Sequence, residues 1–160
     1  MSGPLQRLLV DKAGVRDAAE IHSLVNQFAQ RGDMLPRTPA EVYENLRDFF
    51  VLRDGRQLLA CVALHIVWED LAEVRSLAVR EESQAQGLGA ILVQACVEEA
   101  RSLGLTTLFA LTYRPAFFEK LGFSQADVMS LPRKVWNECY RCPKFPGCNE
   151  IAMVMNLGEH

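Results

Sequence analysis

The stretch QAQGLGA, residues 84–90, joins two kinds of sequence. Before it, AEVRSLAVREES alternates apolar and polar residues as a strand does; after it, ILVQACVEEARSLG repeats its apolar residues at helical spacing. Gly87 and Gly89 therefore fall at a strand-to-helix joint. A helix start exposes unpaired N–H groups and a partial positive charge, which together attract phosphate. Glycine lets a phosphate approach the backbone closely. Three kinds of loop use this device. A Walker loop needs GxxxxGK followed by Ser or Thr, a string the chain lacks. A dinucleotide fold needs GxGxxG on an early strand. Here its third position is Leu92, and the string comes after half the chain. The third pattern is QxxGxG, met by Gln84, Gly87 and Gly89.

Working outward, residues 6–10 read as a first strand and 14–31 as a helix ended by Gly32. DMLPRTP is a loop. Thr38 caps a second helix, with Pro39 at its first position and Glu41 completing a capping box. That helix is expected to carry Val42, Leu46, Phe49 and Phe50 on one side. Residues 50–53 and 57–68 form a hairpin turned at Asp54-Gly55. Glu69-Asp70 turns the chain into a strand over 71–79. A helix over 87–103, ended by Gly104, leads to a strand over 106–112. A short helix over 115–121 ends at Gly122, and Phe123 starts a short strand. Residues 132–139 read as helical, and IAMVMNL, 151–157, as the last strand. This order predicts an α/β (α+β) domain with a mixed sheet and helices on both faces.

The 160 residues suit one domain, spanning 1–160, with a real core. Hydrophobic residues make up 49% and charged residues 23%, ordinary for a globular chain. A net charge of −3 argues against nucleic acid as a partner. No apolar run reaches the roughly 18 residues of a membrane span, and MSGPLQRLLV has no signal-peptide core. The expected location is the cytoplasm. Of five cysteines, Cys61 and Cys96 lie in apolar runs and read as buried hydrophobes. Cys139, Cys142 and Cys148 form CxxC followed by one more Cys. Structural zinc takes four ligands, and His22, His65 and His160 do not obviously complete a set. No metal is expected; free thiols or a redox-sensitive pair fit better.

SLAVREESQAQGLGAILV resembles the acetyl-coenzyme A signature of the GNAT acetyltransferases, and FFEKLGF, residues 117–123, is similar to a second feature of that family. The resemblance implies a mostly antiparallel sheet of about six to seven strands, with a splayed strand pair holding acetyl-CoA. Gln84, Ala85, Gln86, Gly87, Leu88, Gly89 and Ala90 would form the coenzyme loop, with the backbone N–H groups from Gln86 to Ala90 cradling the pyrophosphate. Leu77, Ala78 and Val79 would pair with the pantetheine amides, and Phe117 and Phe118 would line the coenzyme side of the gap.

ALHIVWEDLAEVRSLAV, with MLPR before it and LFALTY after it, resembles the short N-acetylglutamate synthases more than other GNAT branches. The expected partner is therefore a small-molecule amino acid, with a second copy of the chain in a homodimer. In that branch an L-x-R segment after the first helix holds the substrate carboxylate. Met34, Leu35 and Arg37 match it. The competing reading of Arg37 is a surface arginine beside a cap. Arginine's planar fork suits two-point carboxylate recognition. Ser76 and Thr112 fall where the family places small polar residues. Strand alternation puts Arg75 on the opposite sheet face from Ser76, as an exposed ion pair or a second anion contact. Some relatives carry a further basic residue before the last strand; here Lys144 stands nearest. Glu73 is the candidate base, acting directly or through water. A backbone N–H near Leu77 would hold the oxyanion. The family often places a tyrosine before EKLGF as the acid. Phe118 stands there, so either Tyr113 serves or no acid is needed. The other readings are acetylation of a different amine or peptide, and a non-catalytic acetyl-CoA sensor.

Overall fold

In the computed structural model the described residues are 10–127, 131 and 151–158. In chain order the elements are β1 (Val10–Lys12), α1 (Ala18–Gln30), α2 (Pro39–Glu44), β2 (Phe49–Asp54), β3 (Gln57–Trp68) and β4 (Leu71–Val79). Then come α3 (Leu88–Ser102), β5 (Thr107–Thr112), α4 (Pro115–Lys120), β6 (Ser124–Ala126) and β7 (Ile151–Asn156). The seven strands lie in the order β1-β2-β3-β4-β5-β7-β6. β1–β2, β2–β3, β5–β7 and β6–β7 are antiparallel, and β4–β5 is parallel. This is the mixed, mostly antiparallel sheet that the sequence predicts. The parallel pair is the one joined by a long helix, because parallel neighbours need a crossover.

Local chemistry explains the boundaries. Thr38 Oγ1 accepts the Glu41 N–H at 3.1 Å, and Glu41 Oε1 accepts the Thr38 N–H at 3.2 Å. The predicted capping box is thus closed in both directions. Helix α1 buries Ala18, Ile21, Leu24, Val25 and Phe28, the spacing of one helical face. Gly104, at φ 83°, ends α3. Its N–H reaches the Arg101 carbonyl and the Leu105 N–H reaches the Ala100 carbonyl, a Schellman stop.

Three expectations shift. A single turn of 3-10 helix (Val15–Asp17) precedes α1, where a continuous helix was expected from residue 14. Helix α2 stops at Glu44; Leu46–Asp48 is 3-10, and Phe49 and Phe50 start β2. Adjacent aromatic residues suit a strand buried on both faces better than one helical stripe. The β2–β3 turn is Gly55-Arg56, because Asp54 still pairs with Gln57. The first strand is described over Val10–Lys12 only, and residues 132–139 lie outside the described residues.

The chain packs as two compact units, 1–64 with 74–99 and 65–73 with 100–160. The first has a core that includes Ile21, Val25, Phe28, Val42, Phe49, Leu58, Cys61 and Ala78. An ion cluster closes one side of it. Arg53 donates to Asp17 Oδ1 and Glu20 Oε1, both at 2.7 Å, and Glu20 Oε2 accepts the Leu58 N–H at 3.1 Å. In the second unit Leu71, Phe109, Leu131 and Ala152 pack with Val67, Leu111 and Val154.

Candidate active site

The loop at residues 84–87 is exposed, and its backbone is not ordinary. Ala85 (φ 69°) and Gly87 (φ 79°) both take the left-handed conformation. Alanine there costs about 1–2 kcal/mol, so the surroundings must hold the loop. One hold is visible: Gln84 Nε2 donates to the Val79 carbonyl at 3.0 Å, tying the loop to the end of β4. Leu88, 1% exposed, anchors the first residue of α3 in the core. The Gly87 carbonyl accepts the Ile91 N–H at 3.2 Å, which makes Gly87 the N-cap. Gly89 and Ala90 lie in the first turn, half-buried. No heavy atom comes within 4 Å of a Cβ built on Gly87. An exposed helix start with open space in front of it fits a phosphate.

Strand β4 supplies the second part of the site. Ser76 sits in the middle of the strand at φ 55°. A non-glycine residue takes that conformation rarely. Arg75 and Ser76 both line one cleft, while burial still alternates along the strand, with Val74, Ser76 and Ala78 buried and Arg75 and Leu77 half-buried. The Cys61 thiol donates to the Ser76 carbonyl at 3.7 Å. Burial pushes the thiols of Cys61 and Cys96 up to about 12. Both are free and buried, as their apolar runs predict.

The cleft is small, about 10 Å³. That is room for about one water molecule. Arg37, Glu41, Asn45, Asp48, Arg75 and Ser76 line it, over Val42, Phe49 and Ala63. Arg37 is only 9% exposed, which decides against a surface arginine. Its Nη1 stands 3.7 Å from Glu41 Oε2. Glu41 thus holds Thr38 with one oxygen and Arg37 with the other. The sequence reading used Glu41 only as a helix cap and did not single out Asn45 or Asp48. The four-residue spacing of Arg37 and Glu41 was the available signal.

The remaining predicted residues belong to other surroundings. Met34 packs on the first unit's core, and Leu35 is half-buried. Leu77 and Val79 are half-buried and Ala78 is in the core. Glu73, Thr112 and Tyr113 fall in the second unit and are half-buried. Glu73 pairs with Phe109 in the β4–β5 ladder. Thr112 Oγ1 accepts the Arg114 N–H at 2.8 Å, so the hydroxyl stabilises the turn into α4. Phe118 is 5% exposed and stacks edge-on with Phe117 and Phe123 at 5.1 and 5.2 Å. Phe117 is half-buried. Lys144, Cys139, Cys142 and Cys148 lie outside the described residues. Among the described residues no group of three or more His, Cys, Asp or Glu could hold a metal, and no helix is long and apolar enough to cross a membrane.

Known proteins carry the same pattern. The description "Acetyltransferase (GNAT) family" matches residues 18–123. An uncharacterized N-acetyltransferase of Chlorobaculum tepidum is 36% identical over 96% of this chain and 99% of its own length. An amino-acid acetyltransferase of Mycobacterium tuberculosis is 30% identical over 84% of this chain and 79% of its own. The N-acetylglutamate synthase of Neisseria gonorrhoeae, solved with coenzyme A and N-acetyl-glutamate, superposes with a TM-score of 0.84 at 27% identity. That superposition covers 95% of this chain and 35% of the Neisseria chain. With an exposed glycine loop at a helix start, a family match over residues 18–123 and a relative aligned over nearly its whole length, the chain belongs to the GNAT acetyltransferase family and is an acyltransferase whose cosubstrate is acetyl-CoA.

Proposed function

We propose that the protein acetylates the α-amino group of L-glutamate by direct transfer, as a cytoplasmic N-acetylglutamate synthase of arginine biosynthesis. The observation that carries this reading is the buried guanidinium of Arg37, set with Arg75 and Ser76 around one cleft. Glu41 stands beside one Nη of the guanidinium, and an arginine's planar fork matches a carboxylate. The likeness to the Neisseria synthase, found with N-acetyl-glutamate, supports the same acceptor. The cleft holds about one water, so an amino acid enters only as side chains move.

Acetyl-CoA supplies the thioester carbonyl and a thiolate that leaves readily. The residues of the chain bind, orient and move protons. The N–H groups from Gln86 to Ala90 hold the pyrophosphate, and Leu77 to Val79 and Phe117 contact the pantetheine. The acceptor amine is mostly ammonium near pH 7, so Glu73 takes its proton, directly or through water. The Leu77 N–H, which follows the left-handed Ser76, steadies the developing oxyanion. Thr112 and the Met34-Leu35 segment border the acceptor. Tyr113 is the residue available to protonate the leaving thiolate. Residues 1–160 act in this reading as one acetyltransferase domain.

A second reading rests on Glu41 and Asp48. Two carboxylates balance the two arginines of the cleft, which suits an amino acid with an uncharged side chain. Steady-state turnover with acetyl-CoA and a panel of amino acids separates the two. Glutamate as the acceptor with the highest kcat/KM is the expected result. A higher value for a neutral amino acid favours the second reading, and no turnover with any amine leaves only a binding domain.

A further inference from the structure

Asn26 is a mid-helix residue whose side chain faces a different segment. On α1 it stands one turn after His22, and its amide reaches across to the loop that carries Arg37. Asn26 Oδ1 accepts the Arg37 N–H at 3.1 Å, and Asn26 Nδ2 donates to the Arg37 carbonyl at 2.8 Å. The same Nδ2 donates to the His22 carbonyl at 2.8 Å. Both donor positions of the amide nitrogen are thereby used, and the oxygen holds a third bond. Asparagine is a poor choice inside a helix, because its side chain competes for nearby backbone groups. Here it reads the two polar groups of a single residue eleven positions away.

Residues 35–38 have no regular secondary structure, so no helix or sheet ladder fixes their backbone. Arg37 has a long side chain with many rotamers, and its head is useful only where its base is fixed. Two contacts divide that work. Glu41 meets the guanidinium, and Asn26 grips the peptide groups on either side of the Cα. We infer that Asn26 is the positioning residue for Arg37: by clamping its backbone to α1, it sets where the guanidinium stands in the cleft and so sets the affinity for the acceptor amino acid, without touching either substrate. This inference rests on the reading of Arg37 as the carboxylate contact.

The test is steady-state kinetics on Asn26→Ala, Asn26→Asp, Arg37→Ala and the double variant, with glutamate and acetyl-CoA varied in turn. Asn26→Ala removes two bonds to Arg37 and should raise the amino-acid KM about tenfold. The acetyl-CoA KM should stay within about threefold, a split that general loosening of the fold would not produce. Asn26→Asp keeps the acceptor for the Arg37 N–H and loses both donated bonds, so its KM should fall between wild type and alanine. It also serves if the alanine variant does not fold. In the Arg37→Ala background, Asn26→Ala should change the amino-acid KM less than about twofold, because the residue it positions is gone. An unchanged KM in both Asn26 variants, beside a raised KM in Arg37→Ala, overturns the inference and leaves the role of Arg37 standing. Full additivity in the double variant also overturns it. If Arg37→Ala itself leaves the glutamate KM unmoved, the carboxylate reading fails and this inference fails with it.

Discussion

Gly87 holds a left-handed backbone with empty space where a side chain would go. The two facts predict different substitutions separately. Gly87→Ala meets no atom and should cost only backbone strain, about 1–2 kcal/mol. Gly87→Asp adds a negative charge and bulk at the helix start, where phosphate is to sit. It should abolish acetyl-CoA binding while the fold survives, which calorimetry beside circular dichroism would check. Unchanged affinity would remove the loop from the coenzyme site. Arg37 gives the matching prediction for the acceptor. Arg37→Ala loses a charge-assisted pair of order 1.5–3 kcal/mol, which is roughly 10- to 150-fold in glutamate KM. The acetyl-CoA KM should remain within about threefold. Arg37→Lys should recover only part, since the fork is lost. If amines without a carboxylate are acetylated better than glutamate, the glutamate reading fails.

Between elements, the clearest tie is Arg53 of β2 with Glu20 of α1. The Arg53 hydrogen bond holds the Glu20 carboxyl below its ordinary value, and the Leu58 N–H adds to this. A carboxylate with a lowered folded-state value stabilises the fold at neutral pH; that stabilisation fades as pH falls through the ordinary carboxylate range and is gone below the folded value. Glu20→Gln should therefore lower Tm at pH 7, and the gap to wild type should close on acidification toward pH 4 and below. A gap independent of pH would mean that the charge does not matter. Glu20 is more than one-third exposed in its side chain, so salt will shrink the effect. In α4, Phe118 stands where the family often has a tyrosine, yet its ring is packed between Phe117 and Phe123. Phe118→Tyr would bury a hydroxyl without a provided partner. It should lower Tm and leave kcat no higher than wild type. A rise in kcat would show that the tyrosine position can reach the leaving thiolate.

For the molecule as a whole, the sequence made most elements legible because their signals are local. The Thr38–Glu41 box, the Gly104 stop and the alternation over residues 71–79 each need only neighbours along the chain. Where tertiary contacts decide, the reading slipped. Phe49 and Phe50 look helical until β3 pairs beside them. Nothing local announces the left-handed backbone that Ser76 takes inside β4. Asn26 gave no signal beyond being a weak helix former, since its partner lies on another segment. The glycine loop was legible as a string, whereas of the cleft lining only Arg37, Arg75 and Ser76 were picked out as site candidates. A metal offers a further whole-molecule prediction. Purified protein should hold less than one zinc per chain, and a chelator should leave acetyl transfer intact. One tightly held zinc per chain by elemental analysis would reverse the reading of Cys139, Cys142 and Cys148.

Burial of two thiols has a practical side. Burial pushes both thiols up to about 12, so Cys61 and Cys96 stay protonated at pH 8. Alkylating and disulfide reagents attack the ionised form, so in the folded protein these two cysteines are silent. Thiol colour developed during turnover then reports released coenzyme A with no contribution from Cys61 or Cys96, and their sudden appearance to the reagent becomes a clock for unfolding of the first unit.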